Sequence, residues 1–426
     1  MNPMLRSSRI RMLSTDRVTR SVRGALILLM AMAVAAVPAC GSDSSADHPQ
    51  GDPVVEPSQL DVGNYPTKPR QLELPKNIFV ARAAEAQRLA NILPLPFEID
   101  PNLKFGSESQ VHVFLETEGE AKTHLGPMFR WVNEHNFTEA TNNYVAGFSA
   151  TGLSDSAMNL SYELVNTTLI YSDETSARAA AEKLSQTEFY AASDNIVEGA
   201  TLAAYPDSIA RWQPSSQTLV SWLARDKYVL VTIVSHHENK ELKQSDLPFL
   251  ETLAQKSMDT TLPSLQRFRP TPPDKLMSVP IDPDNMRNRS LPRLEGDSFV
   301  NLPGTYDLHG SLNFFEEPKE AQAMFTEAGV DRIAFDGGEL MRARDSTAAA
   351  KIAEFRVRPD RYSHTVDSPR GLPGAKCLEY RGPQISASRF ICQMPYDRYV
   401  ATTWAQQLHD AQQRISAQYL ILANSK

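Results

Sequence analysis

The chain repeats itself, and this limits the folds open to it more than any other feature. Asp226-Lys227-Tyr228-Val229 followed by Thr232 recurs 171 positions later as Asp397-Arg398-Tyr399-Val400 followed by Thr403. At the same offset Thr175-Ser176-Ala177 matches Ser346-Thr347-Ala348. Upstream, Phe137-Thr138-Glu139-Ala140 matches Phe325-Thr326-Glu327-Ala328. Earlier still, Phe114-Leu115-Glu116 with Glu120-Ala121 matches Phe314-Phe315-Glu316 with Glu320-Ala321. A shared order, with insertions confined to the first copy, is the mark of a diverged duplication. Whatever one copy folds into, the other must fold into as well.

Each copy alternates hydrophobic periods. Val111–Leu115 and Leu312–Phe315 read as strands leading into helices. Leu160–Tyr171 and Arg332–Arg342 read as a second strand set, with a turn or bulge at Asp336-Gly337-Gly338. Capped Ala-rich helices follow, carrying Ala177, Ala180, Ala181 and Leu184 in one copy and Ala348, Ile352 and Phe355 in the other. Further strands end at Tyr228–Ser235 and Tyr399–Trp404. Both copies close with an amphipathic helix: Leu247, Leu250, Leu253, Ala254 and Met258, then Trp404, Leu408, Ala411, Ile415, Tyr419 and Leu422. Spacings of three and four put those residues on one face. Helices packed on a mostly antiparallel sheet give an α+β fold, twice over. The first copy adds a helix at Ala81–Leu93 that has no counterpart in the second.

Between the copies, Arg269–Pro292 holds six prolines, which remove backbone donors and forbid a long helix. This segment reads as a stiff connector. The expected organisation is a signal segment (1–39), a tether and arm (40–71), a first unit (72–267), a Pro-rich linker (268–293) and a second unit (294–426).

The N-terminus points to export. Arg6, Arg9, Arg11, Arg17, Arg20 and Arg23 precede an apolar run, Ala25–Val37, too short to span a membrane but suited to a signal peptide. No paired arginines stand before it, which favours the Sec route. Val37-Pro38-Ala39-Cys40 then reads as a lipobox, with Cys40 lipidated by palmitate-type acyl chains. Pro38 departs from the usual small residue. An uncleaved anchor, or an ordinary signal peptide cut near Ala36 or Ala39, are the alternatives. Residues 41–57 are polar and rich in Gly, Ser, Asp and Pro, as a tether should be.

Loss of residues 1–39 removes six arginines and one aspartate, leaving 37 basic and 50 acidic side chains, a net charge of −13. Such a chain is repelled by phosphate backbones and anionic headgroups, which argues against nucleic-acid binding. Membrane contact should then come from the lipid. Cys377 and Cys392 remain as an even pair in an oxidising compartment. Their flanks read as a hairpin around Pro383-Gln384-Ile385-Ser386 that sets them opposite each other. A disulfide there would stabilise by about 3 kcal/mol on the chain-entropy model. No second Cys or His pair stands at ligand spacing, so the pair does not read as a metal site.

The chemical candidates are weak. Gly147-Phe148-Ser149-Ala150-Thr151-Gly152 resembles a nucleophile elbow, but its second glycine position is Thr151, so a glycine-rich turn between strands is preferred. His236 and His237 stand at a strand end, where neighbours point to opposite faces, and read as solvated or capping residues rather than metal ligands. Glu116, Glu118 and Glu120, with Glu316, Glu317 and Glu320, lie where acids favour a helix N-terminus. Trp222 and Trp404 read as core; Trp131 and Trp212 are scattered. No phosphate loop, dinucleotide fingerprint or zinc-protease motif is present.

Leu60-Asp61-Val62-Gly63-Asn64-Tyr65-Pro66-Thr67-Lys68-Pro69-Arg70, directly after the tether, resembles the opening of a lipoprotein family of mycobacteria, nocardiae and relatives. Leu95–Pro101, Gly147-Phe148-Ser149 and Leu164–Leu184 resemble it too. The resemblance implies an actinobacterial envelope lipoprotein with a domain of unknown function, and supplies no catalytic residues. On its own residues, the Leu60–Arg70 block reads as an ordered arm folding back onto the first unit.

The sequence therefore points to a non-enzymatic protein on the outer face of the cytoplasmic membrane, anchored by acyl chains. No catalytic residue and no cofactor is expected. A groove in or between the units would hold an envelope lipid, glycan or peptide, or the protein would assist assembly. An envelope hydrolase is the alternative, and a protein–protein scaffold the third reading. The anchor is open to test. Cys40→Ser should abolish incorporation of a labelled fatty acid, leaving the signal segment attached or the protein released; unchanged labelling would end the lipoprotein reading.

Overall fold

The computed structural model describes residues 55–107, 109–112, 140, 142–186, 196–295, 297, 302–383 and 388–425. The signal segment, Cys40, Trp131, the acids of 116–120 and the repeat matches at 114–121 and 137–139 lie outside these residues.

The first unit opens with helix α1 (Ile78–Ala90), started by Asn77, whose side chain accepts from the Val80 N–H. Strands β1 (Phe105–Gly106), β2 (Gln110–His112), β3 (Tyr144–Leu153) and β4 (Tyr162–Tyr171) follow, then α2 (Glu174–Ser185). Next come β5 (Glu198–Ala200), β6 (Ile209–Gln213), β7 (Thr218–Arg225), β8 (Tyr228–His236) and the long helix α3 (Leu247–Arg267). The second unit runs β9 (Gly304–Asp307), α4 (Pro318–Glu327), β10 (Arg332–Phe335), β11 (Glu339–Arg342), α5 (Ser346–Arg356), β12 (Ser363–Val366), β13 (Lys376–Tyr380), β14 (Phe390–Tyr396), β15 (Tyr399–Ala405) and α6 (Leu408–Ala423).

Both sheets are antiparallel and their strand orders superimpose. The first is β1-β3-β4-β8-β7-β6-β5, with β2 also paired to β3; the second is β9-β10-β11-β15-β14-β13-β12. Each places a helix after the second strand of this path beyond the edge, α2 or α5, and a closing helix after the central one, α3 or α6. The N-caps correspond: Asp173 accepts from Ser176 N–H and Asp345 from Ala348 N–H, each at 2.8 Å. The hairpin turns correspond as well. Asp226 and Asp397 adopt left-handed backbone at φ 49° and 50°, which Asp tolerates better than most residues, and Tyr228 and Tyr399 open the next strand. The duplication and the α+β class read from the sequence are both present.

Helix α1, which has no counterpart, is buried on several sides. Ala81, Ala83, Ala84, Ala86, Leu89 and Ala90 are all under 9% exposed. It packs on β3 and on β9 of the other unit, and alanines let both backbones come close. The units meet again at Gly106, whose N–H donates to Glu316 O at 2.7 Å. A Cβ there would lie 2.1 Å from Phe315 O, so only glycine fits.

Several sequence expectations are corrected. The arm does not fold onto the first unit. Leu60 and Val62 pack with Met286, Ala411 and Ile415, and Tyr65 with Leu291, Ala417 and Ile421, all against α6 of the second unit. The apolar stripe of α6 is wide enough to bury one side on the sheet and another on the arm, which local sequence does not reveal. The Pro-rich segment is no spacer, since Leu276, Val279, Ile281, Met286 and Leu291 are buried. Leu312–Phe315 is helical rather than extended. The Asp307 side chain caps Gly310 N–H, a helical turn at 308–311 continues as a 3-10 turn through Phe314, and Leu312 and Phe315 point inward three residues apart. A four-residue apolar run fits either period. Trp404 belongs to β15, with α6 starting at Leu408. Cys377 and Cys392 are bonded, facing each other across β13 and β14 with Cα atoms 4.1 Å apart.

One carboxylate gathers arm, Pro-rich segment and second sheet. Asp336, in the β10–β11 turn and 2% exposed, accepts from Arg70 Nη2 at 2.7 Å, Arg287 Nε at 3.1 Å and the Arg293 N–H at 2.8 Å. Two guanidiniums would lose their counterion if it were removed. Asp336→Ala should cost about 3 kcal/mol in urea-induced unfolding, and a loss under about 1 kcal/mol would show the network to be dispensable.

Candidate functional site

On the face covered by α2 the middle of the first sheet is largely apolar, with Val165, Val220, Val231 and Ile233 packed together. At one end the pattern changes. Gln213, Thr218, Ser235 and Glu163 are register partners in turn across β6, β7, β8 and β4, so they form one row on one face. All four are at most 1% exposed.

The row is a hydrogen-bonded ribbon. Ser216 Oγ donates to Gln213 Oε1 at 2.7 Å, and Thr218 Oγ1 donates to Ser216 O at 3.2 Å. The Thr218 and Ser235 hydroxyls lie 2.9 Å apart, and His237 Nε2 meets Glu163 Oε2 at 3.2 Å. Gln213 Nε2 is buried and has no partner. His237, partly exposed, forms the edge of the row towards solvent. It is placed there by the turn of helix at 237–242, whose first N–H groups donate to Ser161 O.

His236 faces the other way, as alternation requires. It caps that helical turn, with Nδ1 accepting from the Asn239 N–H at 3.2 Å. Burial, opposed by Glu238 and Asp246 and reinforced by His237, lowers its pKa below the ordinary imidazole value. A neutral ring suits an acceptor at Nδ1. It stacks with Tyr162 and Phe249, and Tyr162 donates to Asp100 at 2.8 Å. The capping role read from the sequence is what the ring does.

Ser149 is not in a turn. It lies in the middle of the ten-residue strand β3, 0% exposed, with Oγ 2.5 Å from Thr167 Oγ1. Small and hydroxyl residues fill β3 because both faces are covered, so a run of glycines and serines looks like a loop in the sequence. Thr167 and Glu163 are four residues apart on β4, about 13 Å along the strand, so His237, bonded to Glu163, is out of reach of Ser149, bonded to Thr167. Glu317 directly precedes α4 and Glu320 sits in its first turn, where the helix dipole favours acids. Trp212 and Trp222 are core residues. Among the described residues, no group of three His, Cys, Asp or Glu side chains is placed to hold a metal ion, and no helix is long and apolar enough to cross a membrane.

Sequence reading found His237 but not Glu163, Ser235, Thr218 or Gln213. Their signal was a polar residue at the same end of four apolar strands, visible only once the strands are put in register.

Two sheets of one topology, each with one helix over its inner strands and a second closing the chain, define a duplicated α+β protein. The model of the "domain of unknown function (DUF7373) N-terminal" matches residues 72–281, and that of its C-terminal domain matches residues 286–425. The chain belongs to this family. No curated protein matches it. A solved structure, the extracellular domain of PknH from Mycobacterium tuberculosis, is similar at 10% identity and a TM-score of 0.25, covering 41% of this chain and 94% of that one. A likeness at that level carries no argument.

A second carboxylate–imidazole pair joins the two units: His309 Nε2 lies 3.1 Å from Glu98 Oε2. Burial alone would raise the Glu98 pKa, but hydrogen bonds from His309 and the Leu95 N–H outweigh it and hold it below the usual value. Burial likewise opposes protonation of His309, and the bond and charge of Glu98 outweigh it, so its pKa is raised. The imidazole's contribution is full below pH 6.5 and is lost as pH rises through its raised pKa. The carboxylate's is full above pH 4.5 and is lost as pH falls through its lowered one. Melting temperature should therefore fall as pH rises above this window, and His309→Gln should flatten that alkaline limb relative to wild type.

Proposed function

We propose that this chain is a lipid-anchored protein of an actinobacterial-type cell envelope that binds a hydroxyl-rich ligand, a glycan or the sugar part of a glycolipid, without transforming it. The observation that carries the reading is the Gln213–Thr218–Ser235–Glu163–His237 row. Its buried hydroxyls, amide and carboxylate brace His237 at the solvent edge, where the imidazole offers a sugar hydroxyl a hydrogen-bonding partner. The anchor rests on the Val-Pro-Ala-Cys sequence at residues 37–40 and the polar stretch after it. The actinobacterial setting rests on the resemblance of the Leu60–Arg70 block.

A hydrolase is the second reading, and the Glu163–His237 pair favours it, because a carboxylate commonly orients a catalytic imidazole. Against it, the Ser235 hydroxyl is bonded to Thr218, so the row offers no nucleophile activated by that ring. Calorimetric titration of the mature protein with solubilised cell-wall saccharides separates the two. Binding should be seen, weakened about tenfold by Thr218→Val or Glu163→Gln, a change of about 1.4 kcal/mol each, with the circular dichroism unchanged. Saccharide cleavage that disappears in His237→Ala would make the hydrolase reading the better one.

A further inference from the structure

The opposite face of the same sheet carries a second polar row, this one beneath α3. Ser221, Thr232 and Asn166 are successive register partners across β7, β8 and β4, flanked by Ala210 and Ala150. All three polar residues are 0% exposed. Asn166 Nδ2 donates to Thr261 Oγ1 of α3 at 2.9 Å. The remaining atoms have nothing: Ser221 Oγ, Thr232 Oγ1 and Asn166 Oδ1 are buried without a partner, as are Thr168 Oγ1 on β4 and Ser257 Oγ, one turn before Thr261 on α3. The surroundings are apolar, with Leu219, Leu223, Leu230, Val234, Leu253 and Met258 in the same core.

Five unmatched polar atoms in one place demand an account. Each buried donor or acceptor left unpaired costs about 1–3 kcal/mol, so a cluster of them is a large penalty for a core to carry empty. Facing side chains on neighbouring antiparallel strands stand about 5 Å apart at Cβ. Facing hydroxyls at that spacing can bond directly, as those of Thr218 and Ser235 do at 2.9 Å, but Ser221 and Thr232 do not, and one oxygen set between them would bridge the two.

The second unit shows the alternative. By the register that aligns Thr232 with Thr403, Ser221 corresponds to Cys392 and Ala210 to Cys377. There the row is sealed by the disulfide, and Thr403 Oγ1 donates to Ala411 O at 3.3 Å. One copy closed this position covalently; the other kept hydroxyls without partners.

We infer that the Ser221–Thr232–Asn166 row is an internal binding site for uncharged hydroxyl groups, held between the first sheet and α3. The guest is uncharged because no ionisable residue stands in the row, and each hydroxyl of the row can both donate to it and accept from it. The hydroxyl has two sources, bound water or a hydroxylated envelope molecule, and both use the same contacts. This site is on the other face from the Glu163–His237 row and does not depend on the binding function proposed for it.

The test uses the full mature protein. Thr232→Val and Ser221→Ala keep the shape and delete the hydroxyls. If the row holds a guest, each should lower the melting temperature, by about 2–4 °C. If the hydroxyls stand empty, removing them relieves an unpaid desolvation, and the melting temperature should hold or rise, which overturns the inference. A crystal structure at high resolution provides the second readout. Density bridging Ser221, Thr232 and Asn166 supports the site, and a row packed without it rejects it. Organic extraction of protein purified from its native membrane, followed by mass spectrometry, assigns the source. A hydroxylated compound that is lost in Thr232→Val is a ligand, and none with bridging density means water.

Discussion

The structure depends on the burial of one Ala-rich helix. α1 belongs to the first unit by sequence, yet it packs on β3 and on β9, so it is core for both sheets. Alanine costs no side-chain entropy on burial and lets backbones approach closely, which is what a helix covered on several sides requires. Around it the two units share aromatic packing: Tyr306 and Phe314 have centroids 4.8 Å apart, and Phe314 meets Phe148 at 6.2 Å. The protein is a duplication in its topology but a single packed body at this seam. The segments that a linear reading treats as connections, the arm and the Pro-rich stretch, are bound into the second sheet through Asp336 and the stripe of α6.

Duplication gave each unit the same scaffold and left the same positions open to different chemistry. The disulfide of the second unit and the hydroxyl row of the first share one equivalent position, Cys392 in one and Ser221 in the other. A covalent staple and a set of hydrogen-bonding groups are opposite solutions to the same site: the first removes any need for a guest, the second creates one. The end of the sheet diverges in a similar way. Where the first unit buries Thr218 and Gln213, the equivalent end of the second carries Arg389 and Tyr380, and the buried Glu379 accepts from the exposed guanidiniums of Arg381 and Arg389.

Much of the architecture was legible in the sequence. The Asp-basic-Tyr-Val repeat marked the same hairpin in both units because a left-handed turn residue and an inward tyrosine are needed at each. Aspartate before Ala-rich runs marked α2 and α5, since an orphaned first turn needs an acceptor. The spacing of Cys377 and Cys392 in a hairpin was enough to pair them. Each of these is a local requirement of backbone geometry, readable within a few residues. Where a segment was short and apolar, as at Leu312–Phe315, or small on both faces, as at Gly147–Gly152, period and composition carried no such information and the reading failed.

The candidate sites belong to the other category. Glu163, Thr218, Ser235 and Gln213 come from four strands, and nothing in any one of them says that its polar end residue will meet the others. Register decides that, and register is fixed by long-range burial of the apolar faces. The same holds for the arm, whose partner α6 lies some 350 residues away in the chain. The sequence by itself determined the repeated α+β plan, the turns, the caps and the disulfide, because each follows from the conformational preferences of neighbouring residues. Only the tertiary structure decided which polar groups share a face, which are left without partners, and how two copies close over one helix, because those outcomes depend on contacts between residues far apart in sequence.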